Sequence, residues 1–181
     1  MVTVVEKRAL NQQDILFICD FSPPRSPDSK FLEPASQLDA DFISVAYSPG
    51  RSIRVHPAFA AFWIKKNVGK EVLFTIATRD MNKVAAQSLL LGATLMNLEN
   101  VVTVQGDQFT DKDPYETQNV TDIRPTELIR LADFMNQGLD YKGRELCPPS
   151  NFCLGATIDL RHEIEREVNL TRKKIDNGAQ F

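Results

Sequence analysis

The chain repeats one unit. A short, almost wholly apolar run is followed by an amphipathic stretch, and for the first four runs this recurs at about thirty residues. The runs are "DILFICD" (14–20), "DFISVAY" (41–47), "EVLFTIA" (71–77), "NVVTVQG" (100–106) and "NFCLGATI" (151–158). Strands with one wet face alternate apolar and polar residues, and these hardly alternate. Near-continuous hydrophobicity marks strands covered on both faces, as in a parallel sheet.

The intervening stretches have helical spacing. Residues 81–96 place Ala85, Leu89, Gly92, Ala93 and Met96 on one face, with Asp80 as the expected N-cap. Residues 125–137 open on a proline, suited to a first helical position, and should bury Leu128, Leu131, Ala132 and Met135. Residues 160–177 carry Ile164, Val168, Thr171 and Ile175 as a stripe among charges, and stop at Gly178. Weaker helices are expected over 56–67 and 28–38. Strand-then-helix repetition implies right-handed crossovers and parallel strands. Two architectures satisfy this: an open doubly wound sheet, or part of a (β/α)₈ barrel. A whole barrel takes about 250 residues. The chain has 181, enough for five units, and closes on "IDNGAQF" where a sixth strand is expected.

Composition narrows the function. A net charge of −3, with no stripe of Lys or Arg interleaved with aromatics, argues against nucleic-acid binding. No apolar run reaches the roughly 20 residues of a membrane span, and the N-terminus lacks a signal-peptide core. A single cytoplasmic domain is expected. Cys19, Cys147 and Cys153 form no C-x-x-C pair, and only His56 and His162 could add imidazole ligands, so a zinc site is not expected. Gly-rich phosphate loops, a serine elbow and H-E-x-x-H are all missing from the sequence.

In βα folds the functional edge is the carboxyl end of the strands. Asp20 ends the first strand there, Tyr47 and Ser48 follow the second, Thr75 to Asp80 straddle the end of the third, and Gln105, Gly106 and Asp107 follow the fourth. Each cluster also suits an ordinary turn. Their convergence on one edge marks a candidate site without naming a reaction.

The motifs, taken in order, resemble the N-terminal part of the methylenetetrahydrofolate reductase family. "DFSPPR" resembles that family's first-strand "EFFPPR", and "DFISVAYSPGRSIR" its second-strand segment. "TIATRDMNKVAAQSLLLGATLMNLENVVTVQGD" is similar to the block running from "HLTCRDRN" to "RGD", and "RKKIDNGAQF" to its fifth-helix end. "FMNQGLDYKGRELCPPSNFCLGA" looks most like the branch fused to a homocysteine methyltransferase. The resemblance implies the first five βα units of a TIM (β/α)₈-type barrel. It implies FAD as cofactor, NAD(P)H as hydride donor, and methylenetetrahydrofolate reduced to methyltetrahydrofolate. Asp20 falls on the family's catalytic glutamate, the general acid that opens the folate ring. Asp107 would stand near the flavin pyrimidine edge and help hold the pterin. Tyr47, Thr75, Gln105, Gly106 and Lys174 fall on cofactor-side positions.

Some positions depart from the family pattern. Asp20 is shorter than glutamate by about 1.5 Å. Thr75 stands where many members have a histidine, Gln105 replaces the arginine of "RGD", and Gln108–Phe109 replaces two prolines. Two rival readings follow: a flavin- or folate-binding module or partner subunit of the same ancestry, and an unrelated α/β enzyme with an open sheet. An unpaired sheet edge would favour a homo-oligomer or a partner subunit.

Overall fold

The computed structural model describes residues 2–10, 15–110, 117–161 and 163–181. Five parallel strands, β1 (Ile18–Phe21), β2 (Phe42–Val45), β3 (Val72–Ala77), β4 (Asn100–Val104) and β5 (Cys153–Ala156), form one sheet in sequential order. Every neighbouring pair is parallel. An order without reversal is that of a barrel wall, so the doubly wound alternative is excluded. The fold is TIM-barrel-like, with five βα units.

One face of the sheet packs against the helices α2 (Pro57–Val68), α3 (Lys83–Leu95) and α4 (Pro125–Asn136). Ile43, Val45, Phe74, Ile76, Val101 and Leu154 meet Ile64, Leu90, Leu128 and Ile129 there, all essentially without solvent contact. The other, inner face carries Phe42, Leu73 and Cys153, with Val102 and Phe181 packed on them. Alternation of side chains along each strand assigns the two faces.

A helix that the sequence did not announce, α1 (Val4–Leu10), closes the amino end of the strands. Val4 joins the inner cluster, and its N–H donates to Asn100 Oδ1 at 2.9 Å. Lys7 pairs with Asp41 at 2.9 Å. The strands are shorter than the apolar runs, and the start of the first run (residue 14) lies outside the described residues. Residues 28–38 form two 3₁₀ turns, Ser29–Phe31 and Glu33–Gln37, in place of a helix.

Helix faces test the spacing arguments. The α4 expectation holds: Leu128, Leu131, Ala132 and Met135 are buried, with Ile129 beside them. The α3 expectation holds only in part: Ala93 is buried and Leu89 and Met96 pack against the core, but Ala85 is exposed and the helix turns Ala86, Gln87 and Leu90 inward. Three leucines in succession, 89–91, leave the phase undetermined by hydrophobicity alone. Gln87 helps fix it: its side chain donates to the Leu131 carbonyl at 3.3 Å and accepts from the Tyr141 N–H at 2.8 Å. The cap is Asn82, whose Oδ1 accepts from Ala85 N–H at 2.9 Å; Asp80 is engaged elsewhere.

The fifth helix, α5 (Ile164–Asp176), reverses its expectation. Ile164, Val168 and Ile175 are exposed, and the buried residues are Glu167 and Lys174. Beyond β5, Gln180 donates to the Leu154 carbonyl at 2.7 Å and Phe181 accepts from the Ala156 N–H at 2.9 Å. The Phe181 ring lies where a side chain at position 155 would stand, so a Cβ on Gly155 would come within 2.6 Å of it.

Candidate functional site

The site is assembled from the carboxyl ends of all five strands. Asp20 pairs in register with Ser44, and Ser44 with Leu73, which puts its side chain on the inner face. It is exposed and makes no hydrogen bond or ion pair among the described residues. A turn-capping aspartate would be bonded to loop amides, and Asp20 is not. The two prolines after it are held from the next unit, with Arg54 Nη1 donating to the Pro23 carbonyl at 2.8 Å and Val55 N–H to that of Pro24 at 2.9 Å. Thr75 shares the inner face, in register with Val102, which pairs in turn with Gly155.

A second group centres on a residue that the sequence reading included in the Thr75 to Asp80 cluster without singling it out. Arg79 is 3% exposed. Its guanidinium makes a two-pronged pair with Asp80, Nε and Nη2 each at 2.8 Å, and Nη1 donates to the Asp107 carbonyl at 2.7 Å. The Phe109 ring stacks at 4.4 Å from Cζ. Gly106 passes so close that a Cβ there would stand 3.2 Å from Ala77 and 3.3 Å from Arg79, and its φ of +84° is itself a glycine conformation. The Asp107 side chain is exposed, free of its carbonyl's bond to Arg79.

Tyr47 faces Asp80 from just beyond the end of β2. Burial first, then the negative charge of Asp80 and a hydrogen bond to it, push the phenol pKa upward, so Tyr47 remains a neutral donor. Its ring meets His56 edge-on at 5.6 Å. His56 caps α2 by accepting the Ala58 N–H at Nδ1, which leaves the proton on a buried Nε2 that has no partner among the described residues. Burial pushes the imidazole pKa down.

A third group lines a groove of ≈ 630 Å³ between the ends of β4 and β5 and helices α4 and α5. Gln105, Thr157 and Lys174 border it. Lys174 Nζ donates to the Thr157 carbonyl, and Glu167 accepts from the Asp159 N–H at 3.3 Å. Arg124, Arg166, Lys173 and Lys174 outnumber Asp159 and Glu167 among its walls, and the first turn of α4 opens onto it. A surplus of cations beside a helix N-terminus suits a phosphorylated ligand. Among the described residues no cluster of His, Cys, Asp and Glu could hold a metal.

The expected residues therefore fall into three neighbourhoods. Asp20 and Thr75 stand on the inner face; Tyr47, Gly106 and Asp107 gather around Arg79 and Asp80; Gln105 and Lys174 border the groove. Arg79, His56, Phe109 and Arg124 are additions. The one signal for Arg79 was an Arg-Asp pair directly after a buried strand, "TIATRD".

A family model described as methylenetetrahydrofolate reductase matches residues 5–181. The chain belongs to that family. Membership accords with the strand-end placement of the "DFSPPR" and "QGD" motifs. No protein of curated function matches the sequence significantly. Among solved structures, two crystal forms of 2,3-dimethylmalate lyase, a PEP mutase/isocitrate lyase superfamily member, share the fold. The trigonal form has a TM-score of 0.58 at 16% identity, and the triclinic form 0.59 at 17%. Each alignment covers 99% of this chain but only 60% and 61% of the lyase, respectively. At that identity the likeness concerns the barrel alone. No helix among the described residues is long and apolar enough to cross a membrane.

Proposed function

We propose that this chain forms five βα units of an oxidoreductase barrel that reduces methylenetetrahydrofolate to methyltetrahydrofolate with FAD and NAD(P)H. The family match over residues 5–181 carries this reading. The groove supports the cofactor assignment, because its donor set suits the diphosphate of a dinucleotide. Lys174, Arg124 and Arg166 would hold that anion, with Gln105 on the same wall, and Asp107, two residues beyond Gln105 and outside the groove lining, would stand toward the redox-active end. When bound, FAD supplies two-electron hydride chemistry. Asp107 adds a carboxylate whose charge disfavours electron-rich neighbours. Tyr47, kept protonated by burial and Asp80, can donate a hydrogen bond but cannot act as a base.

Asp20 is assigned the proton. Its free carboxyl group on the inner face can deliver one to the folate nitrogen whose bond to the methylene carbon breaks. Asp20→Asn in the full protein should leave reduction of the cofactor by nicotinamide near wild type. Folate reduction should fall by about 10²–10⁴-fold, while Asp20→Glu keeps or raises it. Stopped-flow measurement of the two half-reactions separates these, and an Asn variant fully active toward folate would remove Asp20 from the mechanism.

The exposure of Asp20 favours a second reading, a binding module of the same ancestry, because a general acid works best where water is excluded. Tight folate binding without turnover in the full protein would select it. We further propose that the chain works in an oligomer or beside a partner subunit, given the apolar residues exposed along α5.

A further inference from the structure

We propose that Arg79 is a positioning residue that holds the 105–109 segment against the end of β3 and so sets where the Asp107 carboxylate stands. The inference rests on the flavin reading for its redox consequence, but its structural half stands on contacts alone. Arg79 binds both limbs of the loop between β4 and α4. On the outgoing limb its N–H donates to the Gln105 carbonyl at 3.0 Å, Nη1 takes the Asp107 carbonyl, and its guanidinium stacks on Phe109. On the returning limb its carbonyl accepts the Val120 N–H at 2.7 Å. Phe109 and Asn119 close the neck of the loop, with N–H to Oδ1 at 3.0 Å and Nδ2 to carbonyl at 3.2 Å.

Burying an arginine is costly unless its charge is paired and its donors are used. Here Asp80 supplies the charge and the Asp107 carbonyl takes a further donor. The planar fork does three jobs at once: it pairs with a carboxylate, bonds a carbonyl and offers a face to an aromatic ring. A lysine, as a flexible point charge, cannot do all three. Gly106 completes the fit, since the backbone between Gln105 and Asp107 lies against the Arg79 stem at a φ of +84°, where a Cβ would stand a tight 3.3 Å from that of Arg79. Because Arg79 grips the Asp107 main chain and leaves its side chain exposed, the carboxylate is placed without being neutralised.

Arg79→Lys tests this in two arms. In ligand-free protein, hydrogen exchange at the Phe109 and Val120 amides, which bond Asn119 and the Arg79 carbonyl, should rise about tenfold, with α2 and α4 unchanged; unaltered exchange overturns the proposal. Should Arg79→Lys disturb the helices as well, Phe109→Leu removes only the stack, and should raise exchange in the same residues by about threefold. No rise there overturns it equally. In the second arm, the midpoint potential of bound FAD is measured for Arg79→Lys, Asp107→Asn and the double variant. The single variants should shift it in the same direction, and Arg79→Lys should add nothing once Asp107 is Asn. An additive shift, or none from Arg79→Lys, overturns the role through Asp107. A wild-type protein that takes up no FAD would instead remove the flavin reading, and the exchange arm would still decide whether Arg79 holds the loop.

Discussion

Helices α4 and α5 are nearly equal in length, at 12 and 13 residues, and each follows or precedes a strand of the same sheet. Their interiors are opposites. The first buries Leu128, Ile129, Leu131, Ala132 and Met135. The second buries Glu167 and Lys174 and turns Ile164, Val168 and Ile175 outward. An amphipathic helix announces two faces but not which of them is covered. For α4 the sheet and α3 take the apolar side. For α5 the side toward the sheet is a polar groove wall, and the apolar side has no described neighbour packed on it as the core packs on α4. The helix resembling a failed core element is the one that contributes charge to the candidate site.

The largest effect expected from this contrast is on stability. Leu128→Ala should cost about 2–5 kcal/mol, because it empties a fully enclosed position between α4 and the sheet. Val168→Ala on the exposed stripe should stay within about 0.5 kcal/mol. Urea titration of both variants checks the pair. Equal losses would mean that the α5 stripe is covered in the protein in solution, and would break the contrast.

A smaller effect should fall on binding. Lys174→Met keeps the length of the side chain, removes its charge, and leaves the Thr157 carbonyl, on an exposed residue, to water. Stability should change by less than about 1 kcal/mol, since a buried charge is often replaceable by an apolar side chain of similar size. Affinity for FAD should drop about tenfold, the loss of one charge-assisted contact. Fluorescence titration beside a melting curve separates the two. A large stability loss with unchanged affinity would make Lys174 a structural residue, like those of α4.

The smallest effect is a pH dependence, and it sharpens the comparison at the helix ends. The N-cap Glu163 makes no side-chain cap on α5, whereas α2 is capped by His56, whose neutral form is favoured by burial. With the folded pKa below the unfolded value of 6.5, the unfolded state binds more protons as pH falls. The stability gained from the neutral imidazole is fully present above pH 6.5 and is lost as pH falls from there toward the folded pKa. His56→Asn, which keeps a capping acceptor, should flatten that slope in melting temperatures measured between pH 7.5 and about 5.5. An unchanged slope would assign it to other groups.

Local pattern carried a good deal of this protein. Short, unalternating apolar runs sufficed for parallel βα units, because a strand buried on both faces has no place for polar residues. Leu128, Leu131, Ala132 and Met135 marked the α4 interior, since their spacing admits one helical face. The strand ends holding Asp20, Tyr47 and Asp107 were also legible, because each follows directly from where a run stops, while Thr75 lies inside the third run. Tertiary structure decided the rest. The phase of α3 was set by Gln87 reaching Leu131 and Tyr141, and the orientation of α5 by a polar groove on its sheet side. Arg79 became the centre of its neighbourhood through a bond to a carbonyl 28 residues away. Periodicity reports what a segment can bury. Which neighbour arrives to bury it, or to bond it, depends on contacts between residues distant in the chain, and only the folded arrangement supplies those.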